Sequence, residues 1–378
     1  MKPLTYLDNA ASTPLRDEVI EVMLDSMRNV YGNPSSIHEQ GRKAKVVVEQ
    51  ARRSIAKYLK VTPSEIFFTS GGTEAVNTIL RGCAGNLSRK HFITSRLEHP
   101  AVLNCLDLLQ TEKEIEIHYV DVDTGGHISL KHLEALFSLH KPAVAVLMHA
   151  NNEIGNILPV NAVSELCRNY DVLFFSDTVQ TVGKYELSIP KMGFDFAVAS
   201  AHKFHGPKGA GFMVVRSEHL FKSMIRGGGQ ERNMRAGTEN VSGIAGMAKA
   251  LELAHEQMAA DQAHIAGLKQ TCISLLRKKI SEVQFNGDAE GSSLHTILNI
   301  SLPGGVDQEM LLPALDIEGI CVSAGSACSS GSIKRSAILE ALNAEPGRPS
   351  VRVSFSCFNT AEEINSFVEK LTAICQSS

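Results

Sequence analysis

An α/β fold on a mainly parallel sheet is what this chain predicts, and three features carry that expectation. Between about residues 60 and 216, short β-branched or aromatic runs alternate with helix-like stretches, the pattern of strands joined by crossover helices. Polar and charged residues follow several of those runs directly, at 69–75, 97–101, 151–155, 177–180 and 200–205. Open α/β sheets bind their ligands at such strand ends. From residue 241 onward the spacing turns helical, which announces a second, smaller unit.

The seven runs lie at 66–69, 91–94, 115–120, 143–148, 172–176, 196–200 and 211–215. From 241 to about 280, Ile244, Met247, Leu251, Met258, Ile265, Leu268, Cys272 and Leu275 recur at helical spacing. A single long helix leaving one domain for another is expected there. Beyond it, 296–302 and 351–355 read as strands, and 308–315, 336–342 and 361–374 as helices. The division expected is a large domain over 16–255 and a smaller α+β domain formed by 1–15 and 256–378, and 378 residues suffice for both.

Composition narrows the function. Hydrophobic residues make up 43% and charged residues 21%, as in a soluble globular protein. A net charge of −4 argues against direct nucleic-acid binding, which leaves a basic footprint. No apolar run is long enough for a membrane span, and the first residues do not resemble a signal peptide. The eight cysteines form no CxxC pair and no dense framework. Buried thiols in a reducing cytoplasm are expected, with no disulfides and no metal site.

The most telling stretch is Ser200-Ala201-His202-Lys203, directly after the apolar run 194–199. A lysine at the mouth of a buried strand is desolvated, which lowers its pKa and makes it nucleophilic enough for a Schiff base. Asp177 stands likewise at the end of the run 172–176. A carboxylate there can keep a pyridine nitrogen protonated, and the pair points to pyridoxal 5′-phosphate. The ordinary readings are a surface lysine and a helix cap. Lys208, between Pro207 and Gly209, is the competing lysine and reads as an exposed turn.

Other candidates support the same chemistry. Thr69-Ser70-Gly71-Gly72-Thr73 follows a strand and opens a helix, so Gly72 and Thr73 suit a phosphate, although a plain turn reads the same way. Gln180 offers an amide to a phenolate oxygen, His99 a ring that can stack and move protons, and Asn152 a donor to a bound ring. Arg352 suits an α-carboxylate or a structural salt bridge. Cys328 lies among small residues, Gly325-Ser326-Ala327 before it and Ser329-Ser330-Gly331 after it. That context predicts a mobile loop and an exposed, reactive thiol, whereas Cys83 and Cys272 read as inert core residues.

These segments, taken in order, resemble the cysteine desulfurase group (NifS/IscS-like) of class V, fold-type I pyridoxal phosphate enzymes. They include YLDNAASTPL at 6–15, YGNPSSIHEQGRKA at 31–44, FTSGGTEAVN at 68–77, EHPAV at 98–102 and NNEIG at 151–155. SDTVQTVGK at 176–184, SAHKFHGPKG at 200–209, GGGQERNMRAGTEN at 227–240 and SAGSACSSGS at 323–332 continue the series. The resemblance implies a large seven-stranded sheet domain and a smaller C-terminal domain. It implies that Lys203 carries the cofactor, Asp177 meets the pyridine nitrogen, Gln180 the ring oxygen, and His99 the ring face. Gly72, Thr73, Ser200 and His202 would hold the phosphate, with Thr238 reaching it from the other subunit of a homodimer. Asn152 and Arg352 would bind the substrate, L-cysteine, and Cys328 would take its sulfur as a persulfide for an acceptor protein, leaving L-alanine.

Two stretches depart from the pattern. After Arg352 relatives often carry glycine, arginine and phenylalanine where this chain has Phe355-Ser356-Cys357-Phe358. Residues 333–336 lack the acidic residue and proline common there. An iron–sulfur scaffold, a tRNA-thiolation relay and a DNA-modification system all stand open as acceptor systems. A selenocysteine lyase, another class V aminotransferase-like enzyme and a non-catalytic assembly partner are the rival readings.

Overall fold

The computed structural model describes residues 4–324 and 336–377. The chain begins with β1 (Thr5–Tyr6) and two helices, α1 (Asp17–Asn29) and α2 (Glu39–Leu59). Strands and helices then alternate: β2 (Ile66–Thr69), α3 (Gly72–Gly85), β3 (His91–Thr94), α4 (Pro100–Thr111), β4 (Glu116–Tyr119) and α5 (Leu130–Leu139). The series continues with β5 (Ala143–Val146), α6 (Val160–Tyr170), β6 (Leu173–Asp177), the short α7 (Ile189–Met192), β7 (Phe196–Ser200) and β8 (Gly211–Val215). Then come α8 (Val241–Glu256), α9 (Met258–Lys279), β9 (Gln284–Phe285), β10 (Ile297–Ser301), α10 (Gln308–Ile317), β11 (Ile320–Cys321), α11 (Ala337–Ala341), β12 (Ser350–Ser354) and α12 (Ala361–Ser377).

Seven strands form one sheet in the order β2-β8-β7-β6-β5-β3-β4. Five of them, β3 to β7, run parallel, while β8 is antiparallel to both β2 and β7. The central strands are apolar up to their polar C-terminal ends because both faces are covered. Phe174 and Phe175, neighbours in β6, enter different cores, Phe174 with Val48, Ile55 and Phe137, and Phe175 with Ile79, Leu106 and Phe196. Each fully buried ring contributes about 1.5–3 kcal/mol of transfer free energy. α2 shows how sequence makes a covering helix: Ala44, Val48, Ala51, Ile55 and Leu59 fall on one stripe and are buried.

A third core gathers α9, α10 and α12 around β10 and β12, with β9 completing a three-stranded antiparallel sheet. The N-terminal β1 joins this region by pairing in parallel with β11. The single helix expected over 241–280 is instead two, α8 and α9, which meet at Gln257 (φ −99°, ψ 0°). Arg16 marks the break from outside the helical pattern. Its Nη1 donates to Gln257 Oε1 at 2.5 Å and its Nη2 to Asp261 Oδ2 at 2.9 Å.

Candidate active site

The parallel strands deliver their polar residues to one end of the sheet. β7 runs out into a single turn, Ala201–Lys203, whose last side chain reaches back to the segment after β1. Lys203 Nζ donates to the carbonyls of Ala10 and Ala11 at 2.7 and 2.9 Å. Lys208 is exposed, so the two candidate lysines differ in the way their sequence contexts predict.

Asp177 closes β6, buried, and accepts the Val179 N–H at 2.9 Å. No helix follows; the carboxylate caps a turn instead. Burial raises its pKa, opposed by His99, the Val179 N–H and Lys203. His99 lies beyond β3 as the N-cap of α4, its Nδ1 accepting from Ala101 N at 3.0 Å. Burial lowers its pKa; Asp177 opposes that shift and Lys203 adds to it. Because Nδ1 accepts the Ala101 N–H, the ring proton belongs on Nε2. His99, Asp177 and Lys203 thus form one electrostatic group.

Gln180 joins the same group through Ala10. Its Nε2 donates to the Ala10 carbonyl at 3.0 Å, and its Oε1 accepts from Lys184 Nζ at 3.0 Å. Lys184 went unnoticed in the sequence, although it ends the SDTVQTVGK segment. Burial, with Lys203 and Arg352 adding repulsion, lowers its pKa to about 7. A lysine four residues after Gln180 was the available signal; its burial was not visible.

The start of α3, the end of β7 and the turn after Asp177 converge. A Cβ on Gly71 would lie 3.4 Å from Ser200 Oγ, and one on Gly72 3.0 Å from Val179 Cγ2. α3 has no side-chain cap at its start, so the N–H groups of Gly72 and Thr73 face outward as donors for an anion. His202 contacts Ser12 Oγ through Nδ1 at 3.3 Å, and burial lowers its pKa to about 4.

Asn152 is buried, and its Oδ1 has no partner among the described residues. Its carbonyl accepts from Arg352 Nη1 at 3.0 Å, and Arg352 Nη2 pairs with Asp8 Oδ1 at 2.9 Å. The structural salt bridge weighed for Arg352 is therefore present. The guanidinium still keeps Nε without a partner among the described residues. Asp8 was not singled out in the sequence because 344 residues separate it from Arg352.

Thr238 is exposed, on a loop tied by Arg235 to Glu74 at 2.9 Å. Cys328 lies outside the described residues. Cys357 lines a cavity of about 40 Å³ together with Lys184, Lys203, His205 and His295. Arg16 Nη2 donates to its sulfur at 3.3 Å, yet burial pushes the thiol up to about 11. It is a neutral thiol. Cys83 and Cys272 are fully buried, with raised pKa values, as expected of core residues.

An amine, a carboxylate, an amide, an anion-binding helix start and an unpaired buried amide oxygen are the donor set a pyridoxal phosphate ring needs. The comparisons agree. Residues 5–367 match the Aminotransferase class-V family. A protein of Dictyoglomus turgidum named "Cysteine desulfurase IscS" is 42% identical, with 100% of this chain and 95% of that protein covered. The solved structure of a NifS-like protein superposes with a TM-score of 0.92 at 36% identity, covering 100% of both chains. A second solved structure, "SspA in complex with cysteine", gives 0.81 at 28% identity over 94% of this chain and 100% of that one.

The chain is a fold-type I, pyridoxal 5′-phosphate-dependent protein and belongs to the class-V aminotransferase family. Within that family it falls in the NifS/IscS-like cysteine desulfurase group.

Proposed function

We propose that this chain converts L-cysteine to L-alanine and deposits the released sulfur on Cys328 as a persulfide. What carries the reading is the convergence of Lys203 and Gln180 on the Ala10 carbonyl, beside Asp177 and His99. When bound, the cofactor supplies an electron-withdrawing ring that acidifies the substrate α-carbon. Lys203 would hold it through Nζ, Asp177 through the pyridine N–H, Gln180 through the ring oxygen, and His99 against the ring face. Gly72, Thr73, Ser200 and His202 would hold its phosphate, and Thr238 the phosphate of the other subunit in a homodimer.

The protein's own groups then divide the work. Arg352 Nε and Asn152 take the substrate carboxylate and amine side. Lys203 Nζ, once free, moves the proton of the α-carbon, which requires the amine to be unprotonated in a desolvated site. His99, with its proton on Nε2, manages the proton of the substrate thiol. The Cys328 thiolate attacks the substrate sulfur, the carbon–sulfur bond breaks, and the carbon takes a proton. One cysteine and one thiol thus give one alanine and one persulfide, with no external oxidant. The SspA structure holds cysteine, which supports this substrate class.

The persulfide is handed to an acceptor protein. None of the described helices is long and apolar enough to cross a membrane; the relay proposed here is cytoplasmic. The domain division at 255/256 accords with the helix break at Gln257.

The test is alanine release from cysteine alongside trapping of protein-bound persulfide. Cys328→Ser should abolish both while leaving the cofactor bound, and Cys357→Ser should leave both intact. Loss of the persulfide in Cys357→Ser alone would overturn the assignment.

A further inference from the structure

One edge of the large sheet, near the N-terminal ends of β3 and β5, carries a cluster of imidazoles that the active site does not use. His91 opens β3, His118 sits in the edge strand β4, and His140 follows the last turn of α5. Register pairs His91 with Glu116 and Ile93 with His118. Because side chains alternate along a strand, His91, Ile93, Glu116 and His118 share one face. That face is the one α5 covers, since Ile93 packs in the same core as Leu133 and Phe137. The end of α5 therefore lowers His140 onto the two strand histidines.

The resulting geometry is tight. His91 Nδ1 and His118 Nε2 lie 3.2 Å apart. The His118 and His140 rings stack with centroids 3.6 Å apart and 16° between planes, and His140 lies 5.2 Å from His91. One ligand atom from each of the three rings falls within 4.8 Å of the other two. Glu116 Oε2 approaches His91 Nδ1 at 3.5 Å and His118 Nε2 at 3.9 Å. His91 and His118 side chains are 20% and 17% exposed, so the cluster is shielded but reachable from solvent.

We propose that His91, His118 and His140 form a binding site for one divalent transition-metal ion of the zinc class, with Glu116 or water as the fourth ligand. Zinc–nitrogen bonds near 2.0–2.1 Å in a tetrahedron place ligand nitrogens about 3.3 Å apart, close to the His91–His118 spacing. Imidazole donors with one carboxylate suit zinc, nickel or copper and not the oxygen-seeking magnesium or calcium. Binding requires the stacked His118 and His140 rings to fan apart so that their lone pairs converge. It also replaces the hydrogen bond between His91 and His118 by two bonds to the ion. The ion would clamp the short edge strand β4 to β3 and to the end of α5, remote from Lys203.

The test uses the holoenzyme and Zn²⁺ alone in equilibrium dialysis, with His118→Gln, His140→Gln and Cys328→Ser beside the parent. One ion per chain is expected, with affinity falling at least about tenfold in each histidine variant and unchanged in Cys328→Ser. Cobalt in place of zinc should give visible bands without the strong near-ultraviolet absorption of thiolate ligation. Retained alanine release in the histidine variants shows that they fold. No bound ion, equal affinity in the histidine variants, or loss of the ion in Cys328→Ser would each overturn the site.

Discussion

Glu98 and Asp177 are buried carboxyl groups in electrostatic contact, and their surroundings separate their roles. Glu98 Oε1 accepts from Met148 N at 2.9 Å and Ser95 Oγ at 3.2 Å, while Oε2 has no partner among the described residues. Burial, reinforced by the Asp177 charge, pushes Glu98 from near 4.5 to about 8. A neutral Glu98 puts no second negative charge beside Asp177, the carboxyl group proposed to hold a pyridine N–H. Between pH 4.5 and 8 the unfolded chain has lost a proton that the folded chain keeps. Raising the pH through that window therefore costs stability. Glu98→Gln keeps the Oε1 acceptor and removes the titration, so its advantage over the parent should grow with pH, to on the order of a few kcal/mol. Urea midpoints at pH 5 and pH 8.5 check this, and equal differences at both would refute it. Lys203 and Asp177 were legible because each charge stands at or just past the end of an apolar run. Lys184 and Glu98 were not, because their shifted pKa values come from packing by segments distant in sequence.

At the scale of elements, the start of α3 depends on how closely β8 lies beneath it. A Cβ on Gly211 would meet Ala199 O at 2.6 Å and Gly71 Cα at 2.7 Å. Both are backbone atoms, so the strand or the helix start must shift. Gly211→Ala should cost about 1–3 kcal/mol and weaken cofactor binding, because Gly71 and Gly72 move with the loop. Gly85→Ala, near the end of the same helix with nothing within 4 Å, should be neutral or gain up to about 1 kcal/mol. Thermal midpoints and cofactor titration of the two variants separate a cradle effect from a general glycine effect. The strands of this region could be read from sequence because their apolar runs are short and bounded. The 241–280 helix could not be read correctly. Its apolar spacing continues through Gln257, and the residue that grips the break, Arg16, lies 241 positions away.

At the scale of the molecule, the role proposed for Thr238 requires a second copy to supply the phosphate. Its loop is firmly braced: Arg52 pairs with Glu231 at 2.7 Å, both nearly fully buried, and Glu231 also accepts the Phe68 N–H at 2.8 Å. Arg235 adds the tie to Glu74 in the first turn of α3. An exposed threonine on so constrained a loop is presented outward at little entropic cost, which suits a neighbouring subunit. In the proposed dimer each site combines Lys203 of one chain with Thr238 of the other. Lys203→Ala and Thr238→Ala homodimers should each be impaired at limiting cofactor. Unfolding and refolding them together creates mixed dimers in which one site lacks both residues and the other lacks neither. Random exchange makes half the dimers mixed with one intact site each, so desulfurase activity should recover to about a quarter of the parent value. If Thr238 served its own chain, the mixed dimer would contain no intact site, and mixing would give only the average of the two variants.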